Sequence, residues 1–164
     1  MIAFGPFYHL VADAERQRAA AEIRCVLGPR GEAFIAFIPR LGGLIALIHR
    51  AAARPAQVRD TVLRVAVDTA AFSNPTTSGI QEGYYPLPSE IEQLFVSSGF
   101  QVEDMLSLKS IANDRAHQLA RLDPGVKDAV ERLARALCRR PEIIATCGHA
   151  LLVARPRSIP CHSW

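Results

Sequence analysis

The spacing of apolar residues predicts alternating helices and strands in the first half of the chain. Residues 12–27 are predicted to form a helix with Asp13 as its N-cap and with an apolar stripe that comprises Ala19, Ile23, Val26 and Leu27. Residues 32–38 are a continuous apolar run, which is typical of a strand buried on both faces. Two helices are predicted over residues 41–52 and 56–71, and a polar loop follows them.

A short helix and a strand are predicted next. Ser89 and Glu92 have the spacing of a capping box, and Gly99 is placed to end this helix in a left-handed conformation. Residues 100–108 then alternate between apolar and polar. The pattern predicts a half-buried strand whose inner face comprises Phe100, Val102, Leu106 and Leu108.

The last third of the sequence predicts two helices and a final strand. Residues 113–121 form the first helix, and Asp123 caps a longer one whose apolar stripe comprises Val126, Val130, Leu133 and Leu137. Residues 149–154 are the last predicted strand. Residues 157–164 have no periodicity and are predicted to be a flexible tail.

This order of elements predicts a layered α/β domain whose sheet has helices on both faces. The first strand is a stub, because only Met1 to Phe4 precede a tight turn. A chain of 164 residues is long enough for one domain with a substantial core. We assign that domain to residues 1–156.

Composition and charge narrow the possible functions. The net charge of +3 comes from arginines that are spread along the chain, so no nucleic-acid partner is indicated. The cysteines have no metal-binding spacing, and the pairs Cys147/His149 and Cys161/His162 match no ligand pattern, so we predict no metal site. Because the N-terminus has no secretory signal, we expect a cytoplasmic protein with free thiols.

Residues 33–48 are apolar enough to raise a membrane-associated alternative. Pro39, Arg40, Gly42 and Gly43 interrupt the run, whereas a spanning helix needs about 20 apolar residues without such a break. A buried strand followed by an apolar helix explains the pattern better. We therefore predict no membrane partner.

Four segments in order resemble one enzyme family. Residues 5–10, GPFYHL, are similar to a loop that follows a strand in class I S-adenosylmethionine-dependent methyltransferases. Residues 22–31 resemble the end of the helix that comes next, with Arg30 in place of a usual glycine. Residues 83–106 and 148–156 are similar to the segments that contain the family's sixth and seventh strands. The resemblance covers the whole predicted domain and rests on the order and spacing of these segments.

The resemblance implies a Rossmann-like fold that is partly present here. The family's sheet order is 3-2-1-4-5-7-6 with strand seven antiparallel, and this chain supplies the equivalents of 4-5-7-6. The sequence contains neither the family's GxGxG cofactor loop nor its ribose-binding acidic residue. On this resemblance the chain begins inside strand four, and residues 41–88 form a helical cap on the substrate side.

The same resemblance places candidate residues around S-adenosylmethionine and a small-molecule methyl acceptor. Gly5 and Pro6 lie where the family's loop approaches the methionine end of the cofactor, although turn geometry alone also requires such residues. Tyr8 and His9 lie on the acceptor side, where a histidine can accept a proton from an attacking hydroxyl or amine. The alternative is that Tyr8 packs and that His9 caps the loop, and for His9 we favour this alternative.

Three further side chains are candidates for contact with the acceptor. Arg40 follows the strand-five equivalent, at the end of the sheet where ligands bind, and it suits an acidic group. Its alternative role is that of a solvated surface arginine. Tyr84 and Tyr85 either line the substrate mouth as a lid or close a loop by hydrophobic contact.

A sheet of these four strands leaves the first strand as a bare edge, with part of its apolar face uncovered. Such an edge invites pairing or aggregation. We therefore expect the isolated chain to be inactive and either unstable or self-associated. Two interpretations follow: a methyltransferase whose chain is shortened by a misassigned start or a broken gene, and a non-catalytic partner subunit that completes its sheet with another chain.

Overall fold

A computed structural model describes residues 1–53, 60–73, 82–108, 110–111, 118 and 121–157. The strands are β1 (Ile2–Phe4), β2 (Ala33–Phe37), β3 (Ala71–Ser73), β4 (Glu82–Tyr84), β5 (Phe100–Ser107) and β6 (Ala150–Pro156). The helices are α1 (Asp13–Leu27), α2 (Arg40–Ala53), α3 (Asp60–Thr69), α4 (Pro88–Ser97), α5 (Pro124–Leu137) and α6 (Pro141–Thr146), and a 3₁₀ turn spans Pro6–Tyr8.

Four strands form the main sheet in the order β1-β2-β6-β5. β1 and β2 are parallel, whereas β6 is antiparallel to both of its neighbours. β5 therefore runs in the same direction as β2. The predicted mixed α/β class is confirmed, and the antiparallel last strand lies where the family resemblance places it.

One face of the main sheet packs against α1, α4 and the 3₁₀ turn. Pairing in register puts alternate residues of the strands on this face. They form one core with the helices, which comprises Ala3, Phe7, Ala20, Ile23, Ala33, Ile35, Phe37, Ile91, Phe95, Phe100, Ile144, Cys147, Ala150, Leu152 and Ala154. The ring of Phe95 lies 5.2 Å from that of Phe7 and 5.3 Å from that of Phe100, so this core fixes the turn against the sheet.

The buried stripe of α1 differs from the predicted one. Val26 is 74% exposed, whereas Ile23 is buried as predicted and Ala19 and Leu27 are partly buried against the main core. Ala20, which the sequence did not place in the stripe, is also buried. Arg16 is buried on the same face, one turn before Ala20. Its guanidinium donates hydrogen bonds to the carbonyl oxygens of Leu10 and Val11 in the preceding loop, which offsets the cost of burying the charge. The spacing of apolar residues in the sequence does not indicate such a contact.

Two predicted helix starts are shifted. α1 begins at Asp13 itself, so Asp13 is not the N-cap. In α4 the Glu90 carboxylate accepts a hydrogen bond from the Leu87 backbone N–H at 2.8 Å, so the predicted capping box of Ser89 and Glu92 is wrong. The helix starts earlier than predicted because a proline is well tolerated in the first turn.

The predicted alternation in β5 fails after Val102. The pairing with β6 shifts between Val102 and Asp104, which is a β-bulge with one extra residue. Met105 consequently packs against the core, while Leu106 lies on the opposite face of the sheet. Leu108 lies beyond the end of the strand.

The region between β2 and α4 is more regular than predicted. α2 confirms the helix expected over residues 41–52, and α3 confirms the second helix over residues 60–69, whereas residue 71 already belongs to β3. β3 and β4 pair as an antiparallel hairpin, so the prediction of a loop over residues 72–88 is wrong for residues 72–73 and 82–84. These elements share a second small core of Ile38, Leu47, Ala66 and Tyr85.

Near the C-terminus, the Asp123 side chain accepts a hydrogen bond from the Gly125 N–H at 2.8 Å, which confirms the predicted cap of α5. The helix predicted over residues 113–121 and the tail after residue 157 lie almost wholly outside the described residues. Cys138 and Cys147 are free, whereas Cys25 is disulfide-bonded. The expectation of free thiols is therefore wrong for Cys25.

Two adjacent glycines let α2 approach its neighbours closely. A Cβ on Gly42 would lie 1.9 Å from the carbonyl oxygen of Cys147, and a Cβ on Gly43 would lie 2.2 Å from the ring of Tyr85. Both separations are far below van der Waals contact. The two glycines therefore let α2 pack closely on two sides, against the end of α6 and against the second core.

We predict that Gly42→Ala destabilises the protein although alanine is the better helix former. Propensity alone would stabilise the helix by about 1 kcal/mol. The clash with a backbone oxygen forces α2 and α6 apart, and overpacking of this kind costs about 1–3 kcal/mol. Urea unfolding measures the change, with the exposed His49→Ala in the same helix as control. A Gly42→Ala protein more stable than wild type would contradict the packing role.

Candidate functional site

The site predicted from the sequence lies at one edge of the main sheet. Ala150 at the start of β6 pairs with Phe37 at the end of β2 and with Ser107 at the end of β5. Because β1 is parallel to β2, its end with Gly5 lies at this edge too. Ligands of open α/β sheets bind outside the carboxyl ends of the parallel strands. We call this edge the carboxyl edge.

A sharp turn after β1 begins the carboxyl edge. Gly5 has φ +128°, a conformation that residues with a side chain rarely adopt. A Cβ at this position would lie 3.4 Å from the Tyr8 hydroxyl oxygen, so the ring of Tyr8 folds back over Gly5. Phe7 anchors the turn from below in the main core. Gly5 and Tyr8 thus lie together, and Pro6 occupies the first position of the turn.

Tyr8 lies between two imidazoles. Its ring centroid is 4.7 Å from that of His9 and 5.9 Å from that of His149. His9 is exposed, whereas Tyr8 and His149 are half-buried. The structure therefore brings the predicted pair together and adds a second histidine from the other end of the chain.

His149 is the site residue that sequence reasoning missed. Its place in the sequence indicates only half of a metal pair with Cys147 and the start of a packing strand. The available signal was its position directly before an antiparallel strand, which places it at the carboxyl edge. Its backbone oxygen accepts hydrogen bonds from the Leu108 N–H at 3.0 Å and the Cys147 thiol at 3.1 Å.

Metal binding finds no support among the described residues. Burial raises the pKa of the Cys147 thiol, which favours the neutral form over the thiolate that metals bind. The described part of the chain holds no group of three His, Cys, Asp or Glu side chains suited to a metal ion. Cys161 and His162 lie outside it.

Arg40 is engaged by other parts of the chain. Its Nη2 donates to both carboxylate oxygens of Glu90, at 2.8 and 2.7 Å, and its Nε donates to the Tyr85 carbonyl at 3.3 Å. Its backbone N–H donates to the Pro86 carbonyl at 2.9 Å. The residue thus ties the start of α2 to the start of α4. Its contact with an acceptor stays a prediction, and such a contact would have to compete with Glu90.

Tyr84 lines an open cleft of about 400 Å³ between α1 and α4, together with Asp13, Gln17, Glu90, Gln93, Leu94 and Ser97. The Arg16 guanidinium carbon lies 3.7 Å from the centre of its ring, a cation–π contact. Burial raises the pKa of Tyr84, against the opposing effect of Arg16. Tyr84 is therefore a neutral hydrogen-bonding group in a cleft with polar walls.

Tyr85 does not line this cleft, and it is only 4% exposed. Its ring packs on Gly43 in the second core, and burial raises its pKa to about 12. The two adjacent tyrosines thus have different surroundings. Contact of Tyr85 with an acceptor stays a prediction, while its burial is what hydrophobic closure of the loop requires.

No family model matches the sequence, and no curated protein matches it either. Among solved structures, the chain is similar to a SAM-dependent methyltransferase from Methanosarcina mazei, with a TM-score of 0.54 and 11% sequence identity. The match covers 95% of this chain and 57% of that protein, so this chain spans little more than half of its length. The likeness shows a methyltransferase-like fold.

No helix in the described ranges is both long and apolar enough for a bilayer crossing. The apolar run that raised the membrane alternative is divided between β2 and α2.

We predict that Glu90→Gln lowers the free energy of unfolding by about 1–2 kcal/mol, because it removes the charge from a bidentate pair that is only partly screened by solvent. Glu92→Gln, an exposed change in the same helix, is the control. Chemical denaturation of the two variants measures the difference. Equal stability would show that the pair with Arg40 contributes nothing.

We predict that Tyr85 makes the protein sensitive to alkaline pH. Its pKa is raised from 10.0 to about 12 in the folded state, so its contribution to stability is complete below pH 10 and is lost as pH rises toward 12. Tyr85→Phe should therefore flatten the fall in unfolding free energy between these two pH values, while the slope below pH 9 stays unchanged. Parallel profiles for the two proteins across the whole range would contradict this.

Proposed function

We propose that this chain is the acceptor-side half of a SAM-dependent methyltransferase unit that acts on a small molecule. The observation that carries the proposal is the strand order β1-β2-β6-β5 with β6 antiparallel to both neighbours. Simple parallel α/β sheets have no such inverted strand between parallel ones. The same order and directions occur in the half of the methyltransferase sheet that the sequence resembles.

The carboxyl edge supports this proposal chemically. Methyl transfer needs an acceptor held in line with the methyl donor, and much of the catalysis comes from this positioning. His9 and His149 flank Tyr8 and are the groups there that can take a proton from an acceptor hydroxyl or amine near neutral pH. The neighbouring cleft has polar walls with two carboxylates and no basic lining residue, which suits a small polar acceptor better than a nucleic acid.

The residues present do not by themselves form a complete cradle for S-adenosylmethionine. The sequence contains no GxGxG loop. The resemblance places the methionine end of the cofactor beside Gly5, and there the Tyr8 side chain lies against the glycine. The proposal therefore assigns cofactor binding mainly to residues that this chain does not contain, and it includes no catalytic step through the cofactor.

A second candidate function is that of a non-catalytic partner subunit. The observation that favours it is β1, an edge strand that pairs on one side with β2 and carries no charged side chain. Charged residues commonly protect edge strands from pairing with other chains. A partner that brings a glycine-rich half of the fold would complete the sheet at this edge.

We predict that the isolated chain shows no measurable binding of S-adenosylmethionine in isothermal titration calorimetry. A complete methyltransferase with a GxGxG loop, titrated under the same conditions, is the positive control. Micromolar binding to the chain alone would contradict the need for further strands. Translation of the DNA upstream of Met1 then separates the two candidates: an in-frame GxGxG segment supports the methyltransferase, and a separate co-purifying glycine-rich protein supports the partner subunit.

A further inference from the structure

The cleft between α1 and α4 is lined almost entirely by groups that form hydrogen bonds. Six of its seven lining residues have a polar side chain, and Leu94 is the exception. The lining follows α4 from Glu90 to Ser97, a distance of about 10 Å along a helix. A volume of about 400 Å³ lies in the range of small-molecule sites. Most such sites have mainly apolar walls, so this lining suits a hydrophilic ligand rather than a flat aromatic one.

Each of the two carboxylates in the cleft is paired with an arginine that is not itself in the lining. Arg16 donates to Asp13 through Nη2 and Oδ1 at 3.1 Å. Nη2 of Arg40 donates to both carboxylate oxygens of Glu90, at 2.8 and 2.7 Å. The two arginine side chains are only 8% and 18% exposed, so solvent does not easily replace them. The two negative charges are therefore balanced in place by two positive charges.

The Tyr84 hydroxyl lies among the same four charges. Burial has the largest effect on its pKa and raises it. Of the charges, Arg16 and Arg40 lower this pKa, while Glu90 and Asp13 raise it. Two charges of each sign thus act on one point of the cleft wall, in agreement with the pairing distances.

Hydrogen-bonding capacity remains in the wall although its charges are paired. A carboxylate has about four lone-pair positions. Asp13 accepts one hydrogen bond on each oxygen, from Arg16 at 3.1 Å and from the Gln17 amide at 2.6 Å. The Tyr84 hydroxyl and the Gln93 amide can both donate and accept. A ligand hydroxyl matches such a wall, because it also donates and accepts.

We propose that this cleft binds a neutral polyhydroxylated molecule of about the size of a hexose ring. A cationic ligand would meet carboxylates that are already paired, and an anionic ligand would lie against carboxylate oxygens. Tyr8 packs against the second core, which contains Tyr85, the neighbour of Tyr84, so the cleft adjoins the turn at the carboxyl edge. The inference rests on the proposed function only where it takes this ligand as the methyl acceptor.

Titration of the full chain with matched probes tests the charge of the ligand. D-Glucose and myo-inositol are the neutral probes, D-glucosamine carries an ammonium group at about pH 6.5, and D-glucuronate carries a carboxylate. Two-dimensional NMR of the isotopically labelled chain follows binding through the side-chain amide signals of Gln17 and Gln93. We expect the neutral probes to bind in the millimolar range, and each charged probe to bind at least about threefold more weakly.

Variants of the wall and of its paired arginine test the location and the charge balance. Gln93→Ala should raise the glucose dissociation constant about fivefold through a lost hydrogen bond, while Glu92→Ala, an exposed change outside the lining, should leave it unchanged. Glu90→Gln leaves the charge of Arg40 unbalanced and should move the preference toward glucuronate. Arg40→Met leaves Glu90 unbalanced and should move it toward glucosamine. A purely structural effect would not move the preference in opposite directions, and circular dichroism checks that each variant stays folded.

Three results would overturn the proposal. The first is the absence of saturable binding of either neutral probe up to about 100 mM. The second is tighter binding of a charged probe than of glucose by wild type. The third is glucose binding that Gln93→Ala leaves unchanged. Because these titrations contain no cofactor and no methyl transfer, their failure would leave the proposed methyltransferase function standing, and a failure of that function would leave their result standing.

Discussion

The pairing of β2 with β6 is the contact on which the rest of the structure depends. It joins residues 33–37 to residues 150–154 through five antiparallel residue pairs, so it connects the first third of the chain to its end. Both strands contribute alternate residues to the main core, and β5 is attached to the sheet only through β6. The same pairing brings His149 to the edge where Tyr8 lies. Without it, Tyr8 and His149 would not lie together.

The site region shows how close packing and chemistry share the same residues. Gly42 and Gly43 let α2 come near the end of α6 and the ring of Tyr85. α2 in turn starts with Arg40, whose guanidinium holds Glu90 at the start of α4. The start of α4, which lines the polar cleft beside Tyr84, is therefore held to the start of α2 by ionic and backbone hydrogen bonds. Of the two carboxylates in this cleft, Glu90 is held in place by Arg40 and by the Leu87 backbone N–H.

Exposure is distributed unevenly over the two faces of the sheet. The covered face has aromatic and aliphatic side chains in direct contact with α1 and α4, while the other face shows Ile2 and Phe4 to solvent. A large apolar surface of this kind usually marks an interface.

The sequence by itself determined the class of the fold, the order of the four main-sheet strands and the cap at Asp123, because periodicity and turn chemistry act over a few residues. It also placed Gly5, Tyr8 and His9 in one loop. Tertiary structure alone decided the bulge after Val102, the burial of Arg16 and the opposite surroundings of Tyr84 and Tyr85. These three features depend on contacts with residues that are distant in sequence. The contact between Tyr8 and His149 does so too, because it requires the pairing of β2 with β6. Local pattern carries no information about such partners, because side chains of the same type are stable either in water or in a well-matched interior.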